Sequence, residues 1–211
     1  MREFHHVFQA HDLVAGDAAI DFVNTVTARN AEPADWLASY DQLIGWAGQT
    51  GLFSKGDLAG LNDLARKDPV EASAALMRCK LLREALCRVL YSLIDGKEPK
   101  RSDLAVIDTA FAGAAAAGRL AVKEGKGKFV WPLERSGLDL IAHVVAARAL
   151  DLLRDAKLER LRVCGGTQCG WLFLDLSKNS SRRWCDMATC GNAAKARRFQ
   201  QRQRKSRPAK G

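Results

Sequence analysis

Cys164-Gly165-Gly166-Thr167-Gln168-Cys169, followed after a gap of 15 residues by Cys185-Asp186-Met187-Ala188-Thr189-Cys190, decides how the last quarter of this 211-residue chain folds. Two C-x4-C pairs supply four thiols, and four thiolates at the corners of a tetrahedron suit a structural zinc ion. Gly165 and Gly166 let the first loop curl and turn backbone N–H groups toward sulfur, and Gly170 follows the second ligand for the same reason. Between the pairs, Trp171-Leu172-Phe173-Leu174 is strand-like, a polar turn runs from Asp175 to Arg182, and Trp184 precedes Cys185. Asp186 stands where an N-cap would, which puts Cys190 in the first turn of a helix, at the end of the dipole that favours a thiolate. Knuckle, hairpin and helix in that order describe a treble-clef-like finger. A module of about fifty residues with few apolar side chains needs a metal to fold.

Cys164, Cys169, Cys185 and Cys190 together close the coordination sphere, and no His or Glu stands nearby to activate water, so the zinc would be structural. Iron–sulfur and redox-active thiol chemistry are the competing uses of such a cluster. The other two cysteines, Cys79 and Cys87, lie two turns apart on one helical pattern, too far apart to bridge, and read as small core residues.

Charge divides the chain at the same place. Residues 159–211 hold 13 Lys and Arg against 3 Asp and Glu, whereas the preceding 158 residues hold 20 against 21. A near-neutral body followed by a basic module points to an anionic polymer as partner. Lys195, Arg198, Arg202 and Lys205 fall within a sector of roughly 80° on a helix starting near Asn192. Arg197 and Arg204 add charge on that helix, Arg182 and Arg183 add it before Trp184, and Arg207 and Lys210 extend it. Phe199 flanks the stripe and is placed to pack toward the finger. Like charges at these spacings repel, which argues for a compensating partner. Nucleic acid, a solvated face and an acidic protein are the three readings.

Ahead of residue 158 the chain is mainly helical, with one small β-hairpin, and the domains it suggests are 1–158 and 159–211. Ile20, Phe22, Val23 and Val26 give an apolar stripe read as a short strand or turn leading into a helix. Ser39 with Gln42, and Ser54 with Asp57, form capping boxes for the next two helices. Pro69 opens the longest periodic stretch, with Leu76, Cys79, Leu82, Leu86, Val89, Leu90 and Leu93 at helical spacing until Gly96. Ser102 is placed to cap a helix over 103–117; residues 119–134 predict a hairpin turning at Lys126-Gly127-Lys128; and a further helix is expected over 136–158. His143 lies on an apolar face and reads as a satisfied core histidine. His5, His6 and His11 read as part of a disordered terminus. No apolar run reaches the ~18 residues of a membrane span, and the first residues lack an apolar signal region, so a cytoplasmic location is expected.

Arg183-Trp184-Cys185-Asp186-Met187-Ala188-Thr189-Cys190-Gly191-Asn192, with the preceding C-x4-C-Gly-Trp-Leu-Phe-Leu-Asp, resembles the CGNR zinc finger. Asp21-Phe22-Val23-Asn24-Thr25 and the helical body resemble the ABATE domain that precedes that finger. The resemblance covers essentially the whole chain and implies a stress-induced bacterial transcriptional regulator, with zinc ligation carried to the four finger cysteines. One departure stands out: the arginine that follows Gly-Asn in the motif is Ala193 here.

Residues and resemblance together give an expected non-enzymatic, zinc-dependent protein that binds duplex DNA, with a body that senses a small-molecule effector or forms a homodimer. Asp21, Asn24 and Thr25 are the candidate effector residues, and Trp36, Trp46 and Trp131 candidate cavity walls. An RNA-binding or ribosome-associated module is the competing class, with Trp171 able to stack on bases only if exposed. A finger that is only structural, beside an effector-binding body, is another. No nucleophile–base pair, phosphate loop or open metal site supports an enzyme.

Overall fold

The computed structural model describes residues 2–123 and 125–206, with the side chains of Lys123, Arg204, Lys205 and Ser206 left aside. The order of elements is β1 (Arg2–Glu3), α1 (Ala18–Val23), β2 (Val26–Thr27), β3 (Ala34–Asp35), α2 (Tyr40–Gln49), α3 (Lys55–Lys67), α4 (Pro69–Ile94) and α5 (Arg101–Ala117). A hairpin of β4 (Arg119–Lys123) and β5 (Lys126–Val130) follows, then α6 (Leu133–Ser136) and α7 (Leu140–Arg154). The C-terminal part holds β6 (Leu161–Val163), β7 (Leu172–Leu174), a π-helical turn over Met187–Gly191 and α8 (Asn192–Ser206). The fold is therefore mainly α. Among the described residues no helix is long and apolar enough to cross a membrane.

Helix α4 is the spine of the body. Asp68 caps it, Pro69 starts it, and Leu76, Cys79, Leu82, Leu86, Val89 and Leu90 are buried along it. Helices α5 and α7 pack on it and on each other, and α1 lies across α4 and α7. The capping boxes at Ser39 and Ser54 form as their sequences require. Cys79 and Cys87 are buried and unbridged.

Several expectations shift. The Ile20–Val23 stripe is itself helical, because Asp17 accepts the Ala19 N–H and starts α1 ahead of it. Helix α5 begins at Arg101, so Ser102 lies inside it. The hairpin turns before Lys126, at Gly125 with φ +73°, and Lys126-Gly127-Lys128 pair as strand. The helix expected over 136–158 is broken at Gly137, whose φ of +53° ends α6 before α7 starts. The N-terminal stretch is packed: β1 pairs in parallel with β3, β2 pairs antiparallel with β3, Phe8 is buried, and His6 bonds Asp12 at 2.8 Å. That small three-stranded sheet was not legible, because two-residue strands carry no periodicity. Trp36, Trp46 and Trp131 do not share a cavity. Trp46 is fully buried against Phe22, Trp131 donates to the Ala114 carbonyl, and Trp36 sits between His6 and Trp171. His143 is not fully satisfied: its Nδ1 is buried without a hydrogen-bond partner among the described residues, and burial holds its pKa below the usual histidine range.

An ionic seam ties α4 to the small sheet. Arg83, 1% exposed, forks onto Asp35 at 2.7 and 2.8 Å and donates to the Thr25 hydroxyl at 3.1 Å. Burial pushes the Asp35 carboxyl up, but the Arg83 fork outweighs it and holds the group below the usual carboxylate range. Arg29 forks onto Glu84 at 2.9 and 3.2 Å and reaches the Val23 carbonyl at the end of α1.

The C-terminal part is sewn to this body. The Asn24 side-chain amide donates to the Leu172 carbonyl and accepts the Leu172 N–H, both at 2.9 Å, so it pairs with β7 as another strand would. The Leu174 N–H donates to the Ala15 carbonyl at 2.8 Å, the Arg29 N–H to the Cys169 carbonyl at 3.0 Å, and the Tyr91 hydroxyl to the Gly170 carbonyl at 2.5 Å. Leu172, Phe173 and Leu174 belong to the same buried cluster as Ile20, Phe22 and Leu86. Replacing Asn24 by Ala leaves two buried backbone groups of Leu172 without partners. We expect that change to cost about 2–6 kcal/mol in urea denaturation, at roughly 1–3 kcal/mol per orphaned group. A loss under about 1 kcal/mol, within the range of a surface substitution, would show that apolar packing alone holds the joint.

Candidate metal centre and basic helix

Strands β6 and β7 pair antiparallel, and the loop between them carries Cys164 and Cys169. Cys185 ends the next loop, and Asp186 caps the π-helical turn that carries Cys190 by accepting the Thr189 N–H at 2.8 Å. All four sulfurs lie within 4.8 Å of one another. Cys185 Sγ is 3.7 Å from Cys169 Sγ and 3.8 Å from Cys190 Sγ. A tetrahedron with Zn–S bonds of about 2.3 Å has sulfur–sulfur edges of about 3.8 Å, so the spacing fits zinc.

The surroundings fit as well. Cys164 Sγ accepts the Gly166 N–H at 3.4 Å and the Cys185 N–H at 3.3 Å, which stabilises negative charge on sulfur. A Cβ on Gly166 would stand 3.1 Å from both Cys169 Cβ and Cys190 Sγ, and one on Gly165 would stand 3.1 Å from the Arg183 carbonyl oxygen. These two glycines are needed for room rather than for an unusual φ. Gly170 needs both: its φ is +69°, and a Cβ there would come within 2.8 Å of Arg29 Cβ. Hydrogen bonds from the neighbouring thiols, Cys169 first, and then from the two backbone N–H groups draw the charge to Cys164 and hold its pKa well down. The hydrogen bonds that Cys169 and Cys185 share with Cys164 in turn push both of them up. Four thiolates this close repel strongly, and a divalent cation removes that penalty.

The model of the ABATE family, described as "Putative stress-induced transcription regulator", matches residues 16–156, and that of the CGNR zinc finger matches residues 160–203. This chain belongs to the ABATE family. Among curated proteins nothing matches it. In this ABATE protein Cys164, Cys169, Cys185 and Cys190 form a structural zinc site. The ion supplies a cross-link between two loops; the four residues supply all of its ligands.

Beyond the zinc turn, every described residue from Lys195 to Gln203 is exposed. Lys195, Arg198 and Arg202 face solvent on one side of α8 and form no ion pair among the described residues. Phe199 is 63% exposed rather than packed on the finger, because α8 leaves the body after its first turn. The side chains of Arg204 and Lys205, and all of Arg207 and Lys210, lie outside the described residues. Arg183 is exposed beside the Trp184 ring. Arg182, expected at the interface, braces the finger. It donates to the carbonyls of Val14 at 2.9 Å, Trp184 at 3.0 Å and Cys185, and lies over the Phe173 ring at 4.5 Å. Trp171 is half-buried, with its Nε1 bonded to the Val26 carbonyl at 3.1 Å and its ring edge-on to Trp36.

Asp21, Asn24 and Thr25 are brought together but buried. The Asp21 carboxylate accepts the Ala15 N–H at 2.9 Å, Asn24 is engaged by Leu172, and the Thr25 hydroxyl donates to the Phe22 carbonyl at 2.7 Å. The space they enclose with Phe8, Trp36 and Trp46 leaves no room for a water molecule. Pairing of Asn24 with β7 went unread in the sequence; its signal was a polar amide set in an apolar run. Burial pushes the Asp21 carboxyl up to about 7, against the Ala15 N–H that pulls it down.

Two outcomes follow. The purified protein should hold one zinc per chain, chelation should unfold residues beyond 160, and Gly166→Ala should weaken zinc by about tenfold or more. Iron in place of zinc, or unchanged affinity in Gly166→Ala, would refute this account of the centre. Between its unfolded value near 4 and about 7, Asp21 keeps its proton in the folded state and loses it in the unfolded chain. Its contribution to stability therefore falls as pH rises through that window. Asp21→Asn should remove the fall, so that the variant gains on the wild type from pH 5 to pH 8 in paired denaturation curves. A constant difference would contradict a carboxyl titrating so high.

Proposed function

We propose that this chain is a non-enzymatic, cytoplasmic regulator that binds duplex DNA through its zinc-anchored finger. The observation that carries the reading is α8: a helix launched from the zinc turn, with Lys195, Arg198 and Arg202 exposed together and unmatched by acidic side chains among the described residues. Like charges on one helical face cost stability in isolation, and phosphates repay that cost. The zinc site and the Asn24 joint hold the start of α8 relative to the body, so the cationic face is presented at a fixed angle. Arg183, on the loop before Trp184, adds a further cation near the same end. In this reading Arg182 serves the finger's interior and not the nucleic acid. One finger of this size makes few contacts, and a homodimer would double them and raise avidity.

RNA remains the competing ligand. The half-buried Trp171, held by Val26 and Trp36, is poorly placed to stack on a base, which favours the duplex. Fluorescence anisotropy with random-sequence duplex DNA and a matched single-stranded RNA, at several salt concentrations, separates the two. Duplex binding should be zinc-dependent with a log–log salt slope of about −4 to −5, and the triple variant Lys195→Gln, Arg198→Gln, Arg202→Gln should flatten that slope by about 3. Preference for RNA, or a slope that the triple variant leaves unchanged, would overturn the assignment.

A further inference from the structure

A cleft of about 470 Å³ opens on the body between α4, α5 and the start of α7, and no residue of the finger lines it. Leu82, Val106 and Ala142 form its apolar walls, and Leu81, 60% exposed, stands at its rim. Small residues keep it open where α5 passes α7. Ala105, Ala110 and Gly113 line it, and longer side chains at these positions would fill the space.

Four polar side chains line the cleft, and three of them are engaged. Arg78 donates from Nε and Nη2 to the Asp139 carboxylate at 2.8 and 3.0 Å, and from Nη2 to Glu71 at 2.6 Å. The Thr109 hydroxyl donates to the Ala105 carbonyl at 2.8 Å. The charges of Arg78 and Asp139 offset each other. An anion in the cleft would find no cation free of a carboxylate partner, and a cation would find no carboxylate free of Arg78.

His143 is the fourth. Its ring forms no hydrogen bond or ion pair among the described residues, and its Nδ1 is buried without a partner. Nε2 lies toward Gly113, where an added Cβ would stand 3.5 Å from it, so Nε2 is the nitrogen that a molecule in the cleft can reach. Burial holds the pKa of the ring below the usual histidine range. At about pH 7.5 the imidazole is therefore uncharged, with an N–H on one nitrogen and a lone pair on the other. A hydroxyl both donates and accepts, so it pairs with Nε2 in either tautomer.

We propose that this cleft binds an uncharged molecule with a hydrocarbon body and one hydroxyl group, which Nε2 of His143 recognises. The aliphatic walls hold the body of the molecule, and His143 fixes its polar end. The site is separate from the buried Asp21, Asn24 and Thr25, and it does not rest on the DNA-binding reading.

Isothermal titration calorimetry of the zinc-loaded full chain at about pH 7.5 tests the site with 4-tert-butylphenol as probe. Its counterparts are tert-butylbenzene, which lacks the hydroxyl, and 4-tert-butylbenzoate, which carries a charge. We expect one phenol per chain, and each counterpart weaker by about fivefold or more. His143→Phe keeps a ring in place and should weaken the phenol by about fivefold while leaving tert-butylbenzene unchanged. Gly113→Leu, on the exposed side of α5, should abolish binding of both by occupying the space beside Nε2. Zinc content and far-UV circular dichroism verify that each variant is folded. If His143→Phe does not fold, the imidazole nitrogen resonances of the unsubstituted chain carry the test: the phenol should shift those of His143 and tert-butylbenzene should not. No binding of the phenol, equal binding of tert-butylbenzene, tighter binding of the benzoate, or binding untouched by both substitutions would overturn the site. So would a stable homodimer that Leu81→Lys dissociates and that the phenol does not bind, since a second copy would then cover the cleft.

Discussion

Two backbone groups of Leu172 meet the side-chain amide of Asn24, and the placement of everything after residue 160 hangs on that exchange. Strand β7 has only β6 as a strand neighbour, and a bare edge inside a core would be costly. Asn24, at the C-terminal end of α1, supplies the missing donor and acceptor. With β7 anchored, the loop carrying Cys164 and Cys169 is held beside Arg29, Tyr91 and Trp36. The zinc then pins the second loop to the first, and α8 leaves from the pinned turn. A chain of short-range constraints thus runs from α1 to the cationic face of α8, with no long linker in between.

Charge is handled in opposite ways on the two sides of this joint. In the body, cations that enter the interior are met: Arg83 by Asp35 and Glu84, Arg29 by Glu84, Lys80 by Glu3 and Asp35. Such buried pairs contribute little net stability, but losing one partner leaves the other stranded, so they fix which surfaces meet. On α8, the described Lys and Arg side chains are left in solvent without acidic partners. The finger's charge thereby stays in solvent, while its own fold rests on the metal and on β7.

The zinc ligands, capping boxes, long α4 and basic helix were legible because each rests on local spacing: thiols around a tight turn, a hydroxyl three residues from its partner, leucines at a 3.6-residue period. The failures share a cause. Asn24 looked like a residue for a ligand, yet its partner lies 148 residues away. Arg182 looked like part of a charged patch, yet its Nε and Nη2 are held by the carbonyls of Val14, Trp184 and Cys185. Phe199 looked like a packing residue, yet the helix has left the body before it is reached. His6 looked like part of a loose tail, yet Asp12 and Trp36 hold it.

The sequence by itself determined the local chemistry: a four-thiolate metal centre, a mainly helical body, and a helix with one cationic face. Only the tertiary structure decided which polar side chains remained available. A hydrogen-bonding group is consumed or left free by its neighbours in space, and those neighbours come from segments whose separation along the chain carries no periodic signal. The joint at β7 is of this kind, since Asn24 and Leu172 meet only when the finger is seated on the body.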